Sequence, residues 1–395
     1  MSFRHPKPAW YFAIMVATLA TFAGPLVVQG RGPHAARTST LPSFLMRPIG
    51  QASTQPRYVP SAINDGGMLA GTDIAGPVPR GFFFTKKKLS YANPPAGMAG
   101  ATIVGLNNAN MVAGTGCQAQ GCAVLRAFVG QIQTGRVHWK SLPNPKGPAI
   151  CTHRGCNSQG NGIGPTGDVT GWEATTGVLW TRLSNGHYSA KRLPTSDSTH
   201  FNTTTGLAVD AFGDVVGTES GSFSTVGIMW PAHGKPFILP DFCGEFLVRG
   251  SATFSAPFAL SASGGSAKRE VTVVGKCLLY DETTKTLGFG PCVWKVSIDH
   301  STPTITATTR LDANVGSDGG LAGAINRHGW IAGNQGDAAS SATLWIHLHP
   351  HLLADLTVNN PGWTFQSLQV LNNTGALAVI ATNGSLTGTF LLTPR

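Results

Sequence analysis

A short phrase recurs seven times along this chain of 395 residues. It reads apolar–Asn–Asx–x–Gly–x–apolar–apolar–Ala/Val–Gly. It is clearest at Ala62 to Gly71, Leu106 to Gly114 and Ala324 to Gly333. Its closing glycine stands at Gly71, Gly114, Gly171, Gly217, Gly275 and Gly333, and Val379 takes that place in the seventh copy. Successive spacings are 43, 57, 46, 58, 58 and 46 residues. A unit of that length cannot bury its apolar face alone, so neighbouring units must stack. A period near fifty is that of a four-stranded propeller blade.

Each copy reads as strands. The apolar residues before the Asn form the first strand and Asn-Asx-x-Gly turns the chain, because Asn and Gly accept left-handed backbone angles. A nearly continuous apolar second strand follows, as in Met68-Leu69-Ala70 and Trp330-Ile331-Ala332, which suits burial between sheets. The third strand closes on an aromatic: Phe83, Phe128, Trp180, Trp230, Trp294, Trp345 or Phe390. These rings are expected at one common position, packed between adjacent sheets. Leu142-Pro143, Leu193-Pro194 and Leu239-Pro240 end a fourth strand, where proline stops an edge. The seventh copy ends at Arg395, five residues past Phe390, with no room for a fourth strand. The segment Phe44 to Ile49 precedes the first copy without a partner and is expected to supply it. The predicted fold is therefore all-β: a seven-bladed β-propeller of four-stranded repeats of about 50 residues, closed by an N-terminal strand, with six or eight blades as the structural alternative.

Composition agrees. Charged residues are 12% of the chain, against about 25% in soluble domains, and the 50 glycines and 26 prolines suit many turns. Apolar residues at 42% in short regular bursts exclude disorder. Arg4 and Lys7 precede an uncharged apolar run from Tyr11 to Val28. This reads as a signal peptide over residues 1–30, then a linker over 31–42 and the propeller over 43–395; an uncleaved anchor is the alternative. The expected location is secreted or periplasmic, with no membrane span after cleavage. Removing Arg4 and Lys7 lowers the net charge from +10 to +8. The positive residues are scattered, apart from Lys86-Lys87-Lys88, which reads as a solvated hairpin. Without a basic helix, nucleic acid is not an expected partner.

Cys117 with Cys122, Cys151 with Cys156, and Cys277 with Cys292 are local pairs expected as disulfides in an oxidising compartment, leaving Cys243 over. The close pairs also fit zinc spacing, but no further ligands surround them.

The phrase Ile-Asn-Asp-x-Gly-x-x-x-Gly, followed by a small residue and Phe or Leu-Trp, resembles the HAF repeat of bacterial extracellular proteins. Arg126-Ala127-Phe128 is close to the tripeptide that names it. The resemblance spans about residues 60–395. It is good in copies one, two, four and six, and weaker in copy three, where Gly164-Pro165-Thr166-Gly167-Asp168 replaces the Asn turn, and in copy five, where Leu260 to Gly265 does. It implies secretion and a β-rich repeat fold, and transfers no activity and no catalytic residue.

Chemistry is sparsely signalled. Gly162 to Gly167 matches a dinucleotide fingerprint by letter, but Pro165 and the following Val169-Thr170-Gly171-Trp172 call for a turn and strand, not a helix. His347, His349 and His351 alternate and would share one face of an extended segment, a weak metal candidate interrupted by Pro350. Asp241 and Glu245 are the nearest thing to a paired acid set in a loop. No cofactor and no catalytic residue is assigned. The variable segments 115–126, 143–160, 194–206, 241–258, 276–291 and 355–368 are expected as loops on one face. Trp172, Phe201, Phe242, Phe246, Tyr280 and Trp363 are the candidate ligand-binding rings, each of which could instead plug a loop onto a blade end. The functional expectation is an exported, monomeric binding or scaffold module for a polysaccharide or extracellular protein. A hydrolase or lyase acting on an extracellular polymer is the alternative.

Overall fold

The Asn phrase builds one hairpin wherever it is intact. In the computed structural model, Asn64 N–H donates to the Met68 carbonyl and Gly67 N–H to the Asn64 carbonyl. The same two bonds recur from Asn107, Asp210, Asn326 and Asn372, and also from Gly164 in the third copy. The fourth turn residue is left-handed each time: Gly67, Asn110, Gly167, Gly213, Gly329 and Gly375 have φ between 57° and 93°. That angle explains the Gly of the phrase, and Asn110 is the permitted exception. Gly162 to Gly167 is thus a strand end and turn, not a phosphate-binding helix start.

The structure describes residues 41–86, 88–118, 124–145, 157–222, 224–241, 255–281, 286–311, 320–335 and 342–395. The expected signal peptide and nearly all of the linker lie outside them. The described residues form an all-β, propeller-like fold of antiparallel sheets, with one short helix at Leu353–Leu356. The first copy contributes strands Tyr58–Ile63, Leu69–Asp73, Arg80–Thr85 and Lys88–Tyr91. The second contributes Gly100–Leu106, Met111–Cys117, Leu125–Gln133 and Arg136–Ser141. A single parallel bridge, Arg80 to Ala101, joins those two sheets. Four-stranded meanders follow at Ser158–Ile163 to Tyr188–Arg192, Thr203–Val209 to Phe237–Ile238, Ser255–Gly264 to Thr302–Arg310, and Leu321–Ile325 to His349–Leu352.

The last copy supplies only Thr364–Leu371, Leu377–Asn383 and Leu386–Pro394. Phe44–Pro48 pairs antiparallel with Leu386–Pro394, from Phe44 opposite Pro394 to Pro48 opposite Phe390. The N-terminal segment therefore takes the fourth-strand place, and Thr357–Val358 pairs with its other edge.

The anchor glycine has a steric cause. The first strands of copies one to six each carry a β-bulge at one place, such as Pro60/Ala62 and Gly206/Ala208. The bulge drives a carbonyl toward the second strand. A Cβ on Gly171 or Gly217 would lie 1.9 Å from the Gln159 or Thr205 carbonyl oxygen, closer than any atom can sit. The seventh copy has a second bulge, between Phe365 and Ser367, and there Val379 stands in the glycine's place.

Cores form between sequence-adjacent sheets. One cluster joins Val216 and Met229 to Val273 and Trp294, and another joins Leu344 and Leu353 to Leu377 and Phe390. A further cluster joins the first copy to the last, through Tyr58, Leu69 and Phe82 against Val370, Ala378 and Leu391. The Leu-Pro ends serve these seams. Leu142, Leu193 and Leu239 are buried, and their N–H groups return to the third strand. The carbonyls of Pro143, Pro194 and Pro240 each accept the indole N–H of the next copy, from Trp180, Trp230 and Trp294, all at 2.7 Å. Ile49 repeats the leucine's part, donating to Thr389 O behind the closing strand.

Three expectations need correction. The third-strand rings are all buried, but not at one position. Trp180, Trp230, Trp294 and Trp345 pair with Val169, Val215, Val273 and Ile331. Phe128 and Phe390 instead sit opposite Gly114 and Val379, and Phe83 opposite Ala70. The second copy has Gly130 in the tryptophan register, and Trp139 from its fourth strand fills the space and bonds the Asn93 carbonyl. Secondly, 276–291 is largely paired strand rather than loop, since Lys268–Asp281 and Thr286–Asp299 are long strands of one hairpin. Thirdly, copy five has no turn at Leu260 to Gly265; its first strand runs through Ser261 to Gly264.

Candidate functional site

Two ends of the sheets can be compared. At the turn end, the first-strand ends of all seven copies line one cavity of about 310 Å³, from Ile63, Asn64 and Asp65 to Leu371, Asn372 and Asn373. Hydrogen bonds along its wall join copy one to two, two to three, six to seven and seven to one. Each turn Asn is buried and its Oδ1 accepts backbone N–H groups of its own turn, as Asn107 does from Ala109 and Met111. Its Nδ2 donates to the next copy: Asn107 to Gly164 O, Asn326 to Asn372 O, and Asn372 to Asn64 O. Asn64 donates to Asn110 Oδ1. A second tier runs outside it, where Asp65 accepts from Asn108 Nδ2 at 2.7 Å and from Asn373 N and Nδ2. Burial alone would raise the Asp65 carboxyl, but the Asn373 and Asn108 donors and the Arg327 charge hold it below the usual range. The Asp65 carboxylate and these asparagine amides are occupied by one another, so their part here is structural.

The opposite end carries the second-to-third-strand connections. There Glu173 closes the strand Val169–Glu173 beside Trp172. Ala174 at φ 56° makes the tight turn, and Glu173 pairs with Thr176. The Glu173 side chain is buried. Burial raises its carboxyl pKa, against the lowering charges of Arg192 and Arg126. Trp172 is half-buried. A carboxyl raised by burial and the charges of two guanidinium groups thus meet at one sheet end, while Trp172, the neighbouring residue of the strand, stands on the opposite face of the sheet. Glu219 occupies the same strand register in the next copy, opposite Thr204 and Val226. Burial raises its pKa too, but both its oxygens accept from Ser196. Asp73, the first-copy equivalent, is bound by Arg57 and Tyr91; burial would raise it, and those donors hold it low.

Other sequence candidates fall differently. Phe201 is buried, 9% exposed, and is not a presented ring. Trp363 packs edge-on against Phe390 at 4.7 Å, which is the plug role. Tyr280 lies on a strand opposite Leu287, and Phe242, Phe246, Glu245 and Cys243 lie outside the described residues. His347 and Leu348, both at positive φ, form the turn that precedes the strand His349–Leu352. His347 therefore does not share an extended face with His349 and His351, and among the described residues no three metal-ligating side chains converge. Cys277 and Cys292 form a disulfide across their hairpin. Cys117 is disulfide-bonded, with Cys122, Cys151 and Cys156 outside the described residues. Asp197, Thr199 and His200 cluster, but both contacts to the imidazole reach Nδ1, so they make no proton relay. A cavity of about 600 Å³ lies at the seam of copies one and two, with Arg80 stacked 4.3 Å over Tyr91.

Among the described residues no helix is long and apolar enough to cross a membrane. No protein-family model and no curated protein matches the chain. Among solved structures, it is similar to a GH93 α-L-arabinofuranosidase of Fusarium graminearum in complex with arabinobiose, at 10% identity and a TM-score of 0.34, covering 89% of this chain and 97% of that one. It is also similar to a Bombyx mori GH32 β-fructofuranosidase, at 9% identity and a TM-score of 0.28, covering 90% and 91%. Likeness at these scores is too loose to transfer an activity.

Proposed function

We propose that this chain is an exported seven-bladed β-propeller, closed by Phe44–Pro48, that engages an extracellular polysaccharide at the end opposite the Asn turns. The seams between successive copies, including the one between the last and the first, support the closed ring. The apolar N-terminal run, the Cys277–Cys292 disulfide and the resemblance to extracellular HAF repeats support export to a secreted or periplasmic location. The observation that carries the ligand class is the end of the strand Val169–Glu173, where Glu173 lies under the charges of Arg126 and Arg192 on one face and the half-buried Trp172 stands on the other. An indole face stacks on sugar rings, and carboxyl and guanidinium groups hydrogen-bond hydroxyls.

Binding is the leading reading and hydrolysis the second. The second is favoured by the raised carboxyl of Glu173, the state a general acid needs to protonate a glycosidic oxygen. One experiment separates them. Residues 31–395 are applied to a glycan array and to the glycans they retain, with reducing-sugar release as the second readout. Trp172→Ala should abolish retention under both readings. Under hydrolysis, Glu173→Gln removes sugar release and keeps retention. Under pure binding no sugar is released by any variant. Retention unaffected by Trp172→Ala would refute the site.

A further inference from the structure

Asp210 stands in the turn ring where the second, sixth and seventh copies have an asparagine whose Nδ2 donates to the next copy's backbone. Its Oδ1 does what theirs does, accepting Phe212 N and Asp214 N at 2.8 and 2.9 Å. Its Oδ2, at the place of their donor, is buried and has no hydrogen-bond partner. Three of the copies thus have a donor where a carboxylate could only accept. The residue is 5% exposed, and no donor of the protein reaches Oδ2. Next to it, Asp214 is already spent on Arg269, which grips it through Nε at 2.6 Å and Nη2 at 2.5 Å, both residues fully buried.

We propose that Asp210 carries a proton in the folded protein, that this O–H replaces the asparagine N–H of the ring, and that the fold is thereby tightest in acidic surroundings and loosens as the proton leaves.

The charges around Asp210 favour this. Burial and the Asp214 carboxylate push its carboxyl up to about 7, against the lowering effect of its two turn N–H donors and the Arg269 charge. The other charged groups lining the same cavity, Asp65 and Arg327, stand close enough for the Arg327 charge to lower Asp65. The sign follows from linkage. The unfolded chain releases this proton near the ordinary value of about 3.9, and the folded chain near 7. Between those values the folded state holds more protons, so stability falls as pH rises through the window and is level above it.

Asp210→Asn supplies the donor permanently. The expected result is a variant nearly as stable as the parent at pH 4 and more stable at pH 8.5. Relative to the variant, the parent's folding equilibrium constant should fall by up to about tenfold per pH unit across the window. A variant less stable at every pH, or a stability difference that does not change with pH, would overturn the proposal. A second measurement needs no variant. Infrared spectra of the parent with ¹³C-labelled aspartate, which separates Asp210 from Glu173 and Glu219, should show a buried carboxylic-acid stretch at pH 6 that is gone at pH 9. No aspartic-acid band at pH 6 would equally overturn it.

Discussion

Trp294 and Trp345 provide a paired experiment on the seams. Both are 0% exposed and both occupy the same strand register, opposite Val273 and Ile331. They differ in one respect. Trp294 Nε1 donates to Pro240 O at 2.7 Å, whereas Trp345 Nε1 is buried with no hydrogen-bond partner. In sequence, Leu311 is followed by Asp312, where the second, third and fourth copies have Leu-Pro. Replacing either indole by Phe removes about three heavy atoms from a packed seam, at a cost of about 1–2 kcal/mol, a fraction of the ~3–5 kcal/mol for truncation to Ala. At Trp294 the change also strands the Pro240 carbonyl, which adds about 1–3 kcal/mol. At Trp345 it strands nothing and removes an unsatisfied N–H. Urea unfolding should therefore place Trp294→Phe about 2–5 kcal/mol below the parent, and Trp345→Phe only about 1–2 kcal/mol below. Equal losses, or a larger loss at Trp345, would refute the reasoning that the indole–proline bond fastens one sheet to the next.

Gly217→Ala should cost at least about 1–3 kcal/mol in the same assay, because its Cβ meets the Thr205 carbonyl and the Gly206 Cα, backbone atoms that cannot turn aside. Gly67→Ala, with nothing within 4 Å of its Cβ, should cost only the ~1–2 kcal/mol of a left-handed backbone. Arg269→Met leaves the Asp214 carboxylate buried without its partner and should cost about 3–5 kcal/mol, with partial recovery in the Arg269→Met, Asp214→Asn double variant.

Much of the fold was legible because the repeat states the same local rules many times. The Asn turn, its left-handed Gly, the anchor glycine and the unpaired segment before the first copy were each visible as letters, and each has a local cause. The third copy shows the limit in one direction: Gly164 keeps the turn by backbone bonds alone, without the side chain that marks it. The fifth shows it in the other: Ser261 stands where the Asn belongs, and the strands simply continue. The indole bonds to Pro143, Pro194 and Pro240 were out of reach because donor and acceptor lie 36 to 54 residues apart. Glu173 and Asp210 carried no motif. What sets them apart is burial and neighbouring charge, and burial of a carboxyl is decided by packing rather than by spacing. A single Asp in an Asn slot was a readable signal for Asp210, once the slot's donor was known.

The central claim is that the two ends of the chain close one ring. Ile49 N–H donates to Thr389 O and Arg395 N–H to Ser43 O, so Met46 and Leu392, three residues along from each, form a non-hydrogen-bonded pair. Such pairs bring Cα atoms to about 4.5 Å, within disulfide range. In Met46→Cys, Leu392→Cys, peptide mapping by mass spectrometry should find the two ends joined by a disulfide, and the oxidised protein should melt above its reduced form. Cysteines that stay unlinked under conditions where Cys277 and Cys292 are joined would contradict the closed ring.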